Sequence, residues 1–250
     1  MGDVGVMFRS RRHVMTDLPL HNRLALVTGA SRGIGAATAE ALAREGAHVI
    51  LTARTAGGLE EVEERIFAAG GSATIAPLDI AESGGVAKLA AAIGGRWPAL
   101  DILVLNAATL GTLTPVPSID PKELANLLTL NISAQQALIA AFDPMLRQSD
   151  RARLVMLTSS VAARPRAYWG GYAATKAALE TLVLTYADEM AGISTLRAAI
   201  VDPGATATRM RARAFPGEDA ATLKTPEVVG DAITAMLVAD FENGYRMRVD

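Results

Sequence analysis

Short apolar runs alternate with longer amphipathic segments along the chain. Apolar runs of about four to eight residues between turn residues are typical of strands buried on both faces of a sheet. Segments with apolar residues at helical spacing that end at glycine or proline predict helices. The predicted strands are Leu24–Val27, Ala47–Ala53, Ala73–Leu78, Leu100–Leu105, Arg153–Thr158, Leu196–Val201 and Tyr245–Val249. The predicted helices are Ala36–Arg44, Gly58–Ala69, Val86–Ile93, Pro121–Phe142, Tyr172–Met190 and Pro226–Leu237.

Three glycines, Gly29, Gly33 and Gly35, connect the first strand to the first helix. A strand that turns through glycines into a helix leaves backbone N–H groups unpaired at the helix start. Together with the helix dipole, these donors favour an anion such as a pyrophosphate. The glycines let the phosphates approach, because a Cβ would stand in the way. An ordinary tight turn is the alternative, and the flanking strand and helix favour the phosphate site.

The alternation of strands and helices predicts parallel strands joined by right-handed crossovers, with helices on both faces. We therefore predict an α/β protein with a single-domain Rossmann fold over residues 21–250. Its core is a doubly wound, mostly seven-stranded parallel sheet. Residues 1–20 carry a basic cluster from Arg9 to His13 and no long apolar run, which predicts a disordered extension and not a secretory signal. Met15 is an alternative start of the chain.

Tyr172 and Lys176 lie one turn apart on one face of a predicted helix. A nearby ammonium favours a phenolate, so we expect Lys176 to lower the pKa of Tyr172 and help it exchange protons. A solvated lysine packed on a tyrosine is the alternative. Ser160 follows the fifth strand at the carboxyl edge, where open α/β sheets bind ligands. Its hydroxyl is placed to hold a substrate oxygen there, unless it only caps the strand end.

Composition narrows the function classes. The net charge of −2 gives no reason to expect nucleic acid or an anionic membrane as the main partner. The chain has no cysteine, which excludes disulfides, thiolate metal sites and a cysteine nucleophile, and we predict no metal. No apolar run approaches the ~18 residues that a membrane span needs. We expect a cytoplasmic protein.

The motifs together resemble the short-chain dehydrogenase/reductase family. The resemblance extends from Arg23 to Val249, with the motifs in the order typical of the family. An uncharacterised bacterial branch, labelled by analogy with oxoacyl-carrier-protein reductases, is especially similar. The motifs that carry the resemblance are Thr28-Gly29-x-x-x-Gly33-x-Gly35, Asn106-Ala107, Ser160, Tyr172-x-x-x-Lys176 and Pro203-Gly204.

The resemblance implies a nicotinamide cofactor at the carboxyl edge of the sheet and hydride transfer to or from a carbonyl carbon. Tyr172 would then protonate the carbonyl oxygen, and Ser160 would orient it. Lys176 would lower the pKa of the tyrosine and hold the nicotinamide ribose. Asn131 would support a water relay to Lys176, although a local hydrogen bond is the alternative. The family's four-helix contact predicts a homodimer or homotetramer.

Charge at the end of the second strand predicts NADP(H) over NAD(H). Thr52-Ala53-Arg54 has no acid to bind the ribose 2′-OH, and Arg32 lies in the glycine loop. Two guanidiniums are suited to bind a 2′-phosphate. Alternatively, one or both arginines face solvent. The predicted cofactor-binding residues are Gly29, Ser31, Arg32, Gly33, Ile34, Gly35, Arg54, Asp79, Ile80, Asn106, Ala107, Tyr172, Lys176, Pro203, Gly204, Thr206 and Thr208.

The resulting hypothesis is an NADP(H)-dependent oxidoreductase acting on a small carbonyl or secondary alcohol. An NAD-linked dehydrogenase and a catalytically weak nucleotide-binding scaffold are the alternatives. Two residues depart from the family pattern: Ala108 replaces the usual glycine, and Asp202 replaces the usual asparagine. Residues 205–223 are predicted to form a substrate lid, whose three arginines either meet an anionic substrate or face solvent.

Overall fold

The computed structural model describes residues 18–250. The predictions for residues 1–17 lie outside the described residues. Leu20 is buried, and its backbone N–H donates a 2.8 Å hydrogen bond to the carbonyl of Glu45. The folded part therefore includes Leu20, just before the predicted start of the domain at residue 21.

The described chain folds around one seven-stranded sheet in which every neighbouring pair is parallel. The strand order is β3-β2-β1-β4-β5-β6-β7. β1, β4 and β5 are buried throughout, as their apolar runs predict. The predicted fold class is confirmed. The strands are β1 Leu24–Thr28, β2 His48–Ala53, β3 Ser72–Pro77, β4 Ile102–Leu105, β5 Arg153–Leu157, β6 Arg197–Asp202 and β7 Tyr245–Arg248.

Helices cover both faces of the sheet and divide the core into two layers. α1, α2 and α9 bury their apolar sides on one face, and α3, α5 and α7 on the other. No helix within residues 18–250 has the length and apolar character needed to cross a bilayer. The helices are α1 Gly33–Arg44, α2 Ala56–Ala68, α3 Gly85–Gly94, α4 Pro121–Leu128, α5 Ala134–Gln148, α6 Ser160–Ala163, α7 Gly170–Met190, α8 Arg209–Ala214 and α9 Pro226–Ala239.

The strand order places a topological switch point beside β1. The chain runs outward from β1 to β2 and β3, then returns to place β4 on the other side of β1. Ligands of doubly wound folds bind in the crevice outside the carboxyl ends of the strands at this point. The segments that follow β1, β4, β5 and β6 therefore meet at one edge of the sheet.

The helix predicted over Pro121–Phe142 differs most from the structure. A π-helical turn, Thr129–Ser133, separates α4 from α5, and α5 continues through Pro144 to Gln148. The π turn contains Asn131, whose buried side chain bonds to neighbouring elements. Such turns are frequent at functional sites.

Two further differences concern the site. α7 begins at Gly170, before Tyr172, where glycines let the first turn lie against other side chains: a Cβ on Gly170 would be 2.9 Å from Val116 Cγ2. The short helices α6 and α8 lie in segments for which no helix was predicted.

Candidate active site

The glycine loop after β1 is built for close backbone approach. Gly29 and Gly33 have φ angles of +65° and +56°, in the left-handed region that favours glycine. A Cβ on Gly35 would lie 2.3 Å from the carbonyl oxygen of Gly29 and 2.5 Å from Asn106 Nδ2. Asn106 Nδ2 donates a hydrogen bond of 2.8 Å to the carbonyl of Thr28, which fixes the loop to the end of β4. The structure thus brings Asn106 together with the predicted glycines.

The loop leads into an uncapped helix start. Arg32 is the N-cap residue of α1, and no side-chain hydrogen bond caps this helix start within residues 18–250. The first N–H groups of a helix have no intrahelical acceptor, so an anion at this position would satisfy them and meet the positive end of the helix dipole. Uncapped donors at the end of a glycine loop with close backbone packing are suited to the pyrophosphate of a dinucleotide.

Arg32 and Arg54 lie on two neighbouring segments, the glycine loop and the end of β2. The backbone N–H of Ala30 donates a 3.2 Å hydrogen bond to the carbonyl of Thr52, so the segments that carry the two arginines are adjacent. Both side chains are exposed, and neither has a hydrogen bond or ion pair among residues 18–250. Both guanidiniums are therefore available to a phosphate group.

Four other predicted cofactor contacts flank the loop. Ser31 is half-buried against the start of α2, and Ile34 packs on the core. Asp79 Oδ1 accepts a 2.9 Å hydrogen bond from the backbone N–H of Ala81. Ile80 is buried in the core, so Asp79 is the more accessible of this pair.

Tyr172 and Lys176 share one face of α7, as their spacing predicts. Lys176 Nζ lies 5.8 Å from the centroid of the Tyr172 ring and donates a 2.7 Å hydrogen bond to the carbonyl of Leu157, at the end of β5. Both side chains are buried. The lysine therefore joins the helix of the tyrosine to the carboxyl edge of the sheet.

The prediction that Lys176 lowers the pKa of Tyr172 is wrong for this arrangement. Burial raises the pKa of Tyr172 above its ordinary value, and the charge of Asp202 raises it further. Burial also lowers the pKa of Lys176 to about 8, and the Glu180 carboxylate partly opposes that shift. Helical spacing indicates that the side chains are neighbours, but both charged forms lose solvation here, and this loss dominates.

Asn131 bridges three segments around the site. Its Oδ1 accepts a 2.8 Å hydrogen bond from the backbone N–H of Thr109, and its Nδ2 donates 2.8 Å to the carbonyl of the same residue. Nδ2 also lies 3.1 Å from Thr175 Oγ1 on α7. The partners are distant in sequence, so these are not the local hydrogen bonds considered as the alternative, and the side chain does not bond to Lys176.

Gln135 is a positioning residue absent from the predicted site. Its Nε2 donates hydrogen bonds of 2.9 Å to the carbonyl of Ala107 and 3.1 Å to that of Leu130. This fixes Ala107, a predicted cofactor contact, below the π turn. The available signal was the position of Gln135 one turn after Asn131, which places both amides on one helical face.

Ser160 is the first residue of α6, two residues after Thr158. Its side chain is half-buried, and its hydroxyl makes no hydrogen bond within the described part of the chain. Its backbone carbonyl accepts a 3.0 Å hydrogen bond from the N–H of Arg164. The hydroxyl is therefore free to bind a ligand at the carboxyl edge of β5.

Glu180 of α7 holds the carboxyl end of β5 in place. It is also absent from the predicted site. The hydroxyl of Thr158 donates to Glu180 Oε1, and Arg246 Nη1 of β7 donates 2.7 Å to Oε2. Thr158 and Glu180 are both buried. α7 therefore holds the end of β5 at two successive turns, through Lys176 and through Glu180.

We predict that Glu180→Ala lowers the free energy of unfolding by about 1–3 kcal/mol, because it leaves the buried Thr158 hydroxyl without its acceptor. Urea unfolding measures this change. Glu189→Ala, at an exposed position on the same helix, is the control and should stay within about 0.5 kcal/mol of the unmodified protein. Equal loss in both variants would contradict the role assigned to Glu180.

The Pro203-Gly204 turn follows β6. Gly204 has a φ of +62°, and a Cβ there would lie 2.6 Å from the carbonyl oxygen of Val249. Asp202 Oδ1 accepts a 3.0 Å hydrogen bond from the Gly204 N–H, and Oδ2 lies 3.5 Å from Arg248 Nη1. The carboxylate that departs from the family pattern therefore has a cationic neighbour.

The segment predicted to form a lid, residues 205–223, follows this turn and is called the lid below. Its base is closed by a bridge between Thr206 and Lys224, with Ala207 N–H donating 2.9 Å to the carbonyl of Lys224. The Thr206 hydroxyl donates to the carbonyl of Pro203, and Thr208 Oγ1 caps α8. The methyl of Thr208 lies 3.6 Å from the position of a Cβ on Gly33, so the lid starts directly over the glycine loop.

The fold and this edge define a doubly wound α/β protein of the Rossmann type. The family model for short chain dehydrogenase matches residues 23–219, and the chain therefore belongs to that family. It is 40% identical over 210 residues to the uncharacterized oxidoreductase YciK of Escherichia coli K12, covering 83% of this chain and 82% of the relative.

Solved structures of the family agree with this membership. A short chain dehydrogenase from Shigella flexneri 2a in complex with NADP has a TM-score of 0.87 and 36% identity, covering 93% of this chain and 99% of that one. A short chain dehydrogenase from Escherichia coli CFT073 in complex with NADPH has a TM-score of 0.86 and 36% identity, covering 93% and 98%.

Proposed function

We propose that the protein is an NADP(H)-dependent oxidoreductase that transfers a hydride between the nicotinamide and a small carbonyl compound or secondary alcohol. The observation that carries this proposal is the position of Tyr172 and Lys176 at the same sheet edge as the glycine loop. NADPH, when bound, would supply the hydride. The protein would act in the cytoplasm, as a homodimer or homotetramer. The homo-oligomer is expected from the four-helix contact of the family, in which α4, α5 and α7 would take part.

Tyr172 is proposed as the proton donor in carbonyl reduction. The hydroxyl is protonated at neutral pH, which is the form that a proton donor needs, although its raised pKa makes it a weaker acid than an exposed tyrosine. The free hydroxyl of Ser160 would hold the same carbonyl oxygen. Lys176 would hold the nicotinamide ribose. For Asn131 we propose the water relay to Lys176 through its backbone, since its side-chain amide already bonds to Thr109 and Thr175.

Purified protein tests this function directly. We expect NADPH to raise the melting temperature more than NADH does, and a panel of aldehydes and ketones to contain at least one that oxidises NADPH. A larger shift with NADH would instead support the NAD-linked dehydrogenase. Nucleotide binding without turnover of any carbonyl or alcohol would support the scaffold.

The choice of NADP(H) depends on Arg32 and Arg54. We predict that the double variant Arg32→Ala/Arg54→Ala loses about 2 kcal/mol of NADPH binding, because charge-assisted hydrogen bonds to the 2′-phosphate are lost. This corresponds to an about 30-fold higher Kd. NADH, which lacks that phosphate, should bind within about twofold of the unmodified protein. Isothermal titration measures both constants.

Arg147→Ala is the matched control for this double variant. Arg147 is half-exposed on α5 and lies 3.8 Å from Asp143, in a surface pair of the kind that contributes little. Its replacement should leave both nucleotide affinities unchanged. A parallel loss of NADPH and NADH affinity in the double variant would contradict recognition of the 2′-phosphate by these arginines.

A further inference from the structure

The underside of the lid is apolar where it meets Tyr172. Met210 and Ala214 of α8 pack on a buried cluster that contains Tyr172 itself. Trp169 meets the Tyr172 ring edge-on, with the ring centroids 6.1 Å apart, and lies 5.7 Å from the ring of Phe215. The surfaces that surround the proposed proton donor on this side are those of Leu110, Leu113, Val161, Trp169, Met210 and Ala214.

Two of the three lid arginines, Arg211 and Arg213, have partners inside the protein. Arg211 makes a two-pronged ion pair with Glu218 across the lid, and its guanidinium stacks 3.8 Å from the centroid of the Phe215 ring. Arg213 Nη2 donates a 3.1 Å hydrogen bond to the carbonyl of Gly111, in the segment after β4. Arg209 is exposed. Arg211 therefore braces the lid, and Arg213 fastens it to the opposite wall of the site.

From this arrangement we infer that the substrate is an uncharged carbonyl compound with an apolar body, and that Arg211 and Arg213 close the lid instead of binding an anion. The inference rests on the proposed function and names its substrate class. An apolar substrate that takes the place of Trp169, Met210 and Phe215 beside Tyr172 is stabilised there, because its apolar surface is removed from water. A carboxylate in the same position would lose its hydration and meet Arg211 and Arg213, whose guanidiniums already have partners.

Glu218 offers a sharp test, because its replacement frees a cation without removing one. We expect the unmodified protein to show at least a tenfold higher kcat/KM for neutral aldehydes and methyl ketones than for analogues that carry a distal carboxylate. The panel consists of pairs of alkyl compounds and pairs of aryl compounds that differ in the distal carboxylate. One aryl pair is 4-methylbenzaldehyde and 4-carboxybenzaldehyde. In Glu218→Gln the released Arg211 should reduce this ratio at least fivefold. Glu189→Gln, the same charge change on an exposed part of α7, should leave the ratio unchanged.

Binding without turnover provides a second readout. The chain has two tryptophans, so Trp97→Phe leaves Trp169 as the single fluorescent reporter beside the site. In this background, neutral amides that cannot be reduced, such as 4-methylbenzamide, should quench Trp169 fluorescence at a lower concentration than 4-carboxybenzamide. In Glu218→Gln, the concentrations of the two amides that quench Trp169 fluorescence should lie closer together.

The two readouts distinguish the failure of this inference from failure of the proposed function. Tighter binding of neutral amides without turnover of any carbonyl would refute the enzyme and support the apolar site. Turnover with preference for the carboxylates would support the enzyme and refute the apolar substrate. If no neutral compound outperforms its carboxylate partner in either assay, the inference is wrong.

Discussion

Replacing Tyr172 by phenylalanine is expected to lower kcat for carbonyl reduction by about 10²–10⁴-fold, the usual contribution of a positioned general acid. The expected loss is confined to chemistry. The Tyr172 hydroxyl makes no hydrogen bond within residues 18–250, and the ring is held by apolar neighbours that phenylalanine would keep. NADPH affinity and the melting temperature should therefore stay close to those of the unmodified protein.

Tyr245→Phe is the matched control, since Tyr245 lies on β7 and is 43% exposed. Steady-state rates with NADPH and the best carbonyl of the panel give kcat, and titration calorimetry gives nucleotide affinity. Unchanged turnover in Tyr172→Phe would remove the proton donor from the proposal. Loss of NADPH binding together with turnover would indicate a structural defect and not a missing acid.

The shifts in the pKa values of Tyr172 and Lys176 determine which of their protonation states the reaction starts from. Tyr172 is protonated throughout the neutral range because burial and Asp202 disfavour the phenolate. The Lys176 ammonium, with its pKa lowered to about 8, loses its proton as the pH rises through that value. In the described arrangement, reduction therefore starts from a protonated acid, whereas oxidation of an alcohol must first create the phenolate against the cost of burial.

Apolar runs were sufficient to predict the central strands β1, β4 and β5, because strands buried on both faces consist of continuous hydrophobic residues. The positions of Gly29, Gly33 and Gly35 were likewise sufficient to predict where the backbone must pass closely. Both features depend on local sequence. Neither feature says which strands are neighbours, so the strand order β3-β2-β1-β4-β5-β6-β7 was not predicted.

The features that the sequence did not reveal depend on contacts between distant segments. Glu180 looks like any charged helical residue until Arg246, from the last strand, and Thr158 enclose it. Asn131 acquires its role from the segment after β4 and from a π turn that no local pattern indicates. The spacing of Tyr172 and Lys176 predicts their contact correctly, but their pKa values depend on how much of the protein covers them.

The Gly35→Ala substitution tests the other half of the site, the cradle for the pyrophosphate. A Cβ would lie 2.3 Å from a backbone oxygen and 2.5 Å from Asn106 Nδ2, so the loop and the start of α1 must move apart. Overpacking of this kind typically costs 1–3 kcal/mol, and we expect about that loss in the free energy of unfolding. The displaced N–H donors should also weaken NADPH binding by at least about tenfold, since charge-assisted hydrogen bonds contribute about 1.5–3 kcal/mol.

Gly57→Ala, the same change in the first turn of α2, separates this packing effect from the general effect of adding a methyl group. A Cβ on Gly57 has no neighbour within 4 Å, and the position is exposed. Alanine there should stabilise the protein by about 0.5–1 kcal/mol, because it forms helix more readily than glycine. In urea unfolding, a lower free energy of unfolding for Gly35→Ala and a higher one for Gly57→Ala, with NADPH affinity lost only in Gly35→Ala, would support the pyrophosphate cradle. A Gly35→Ala protein that unfolds normally and binds NADPH as tightly as Gly57→Ala would show that the close approach of backbone at Gly35 is not what holds the nucleotide.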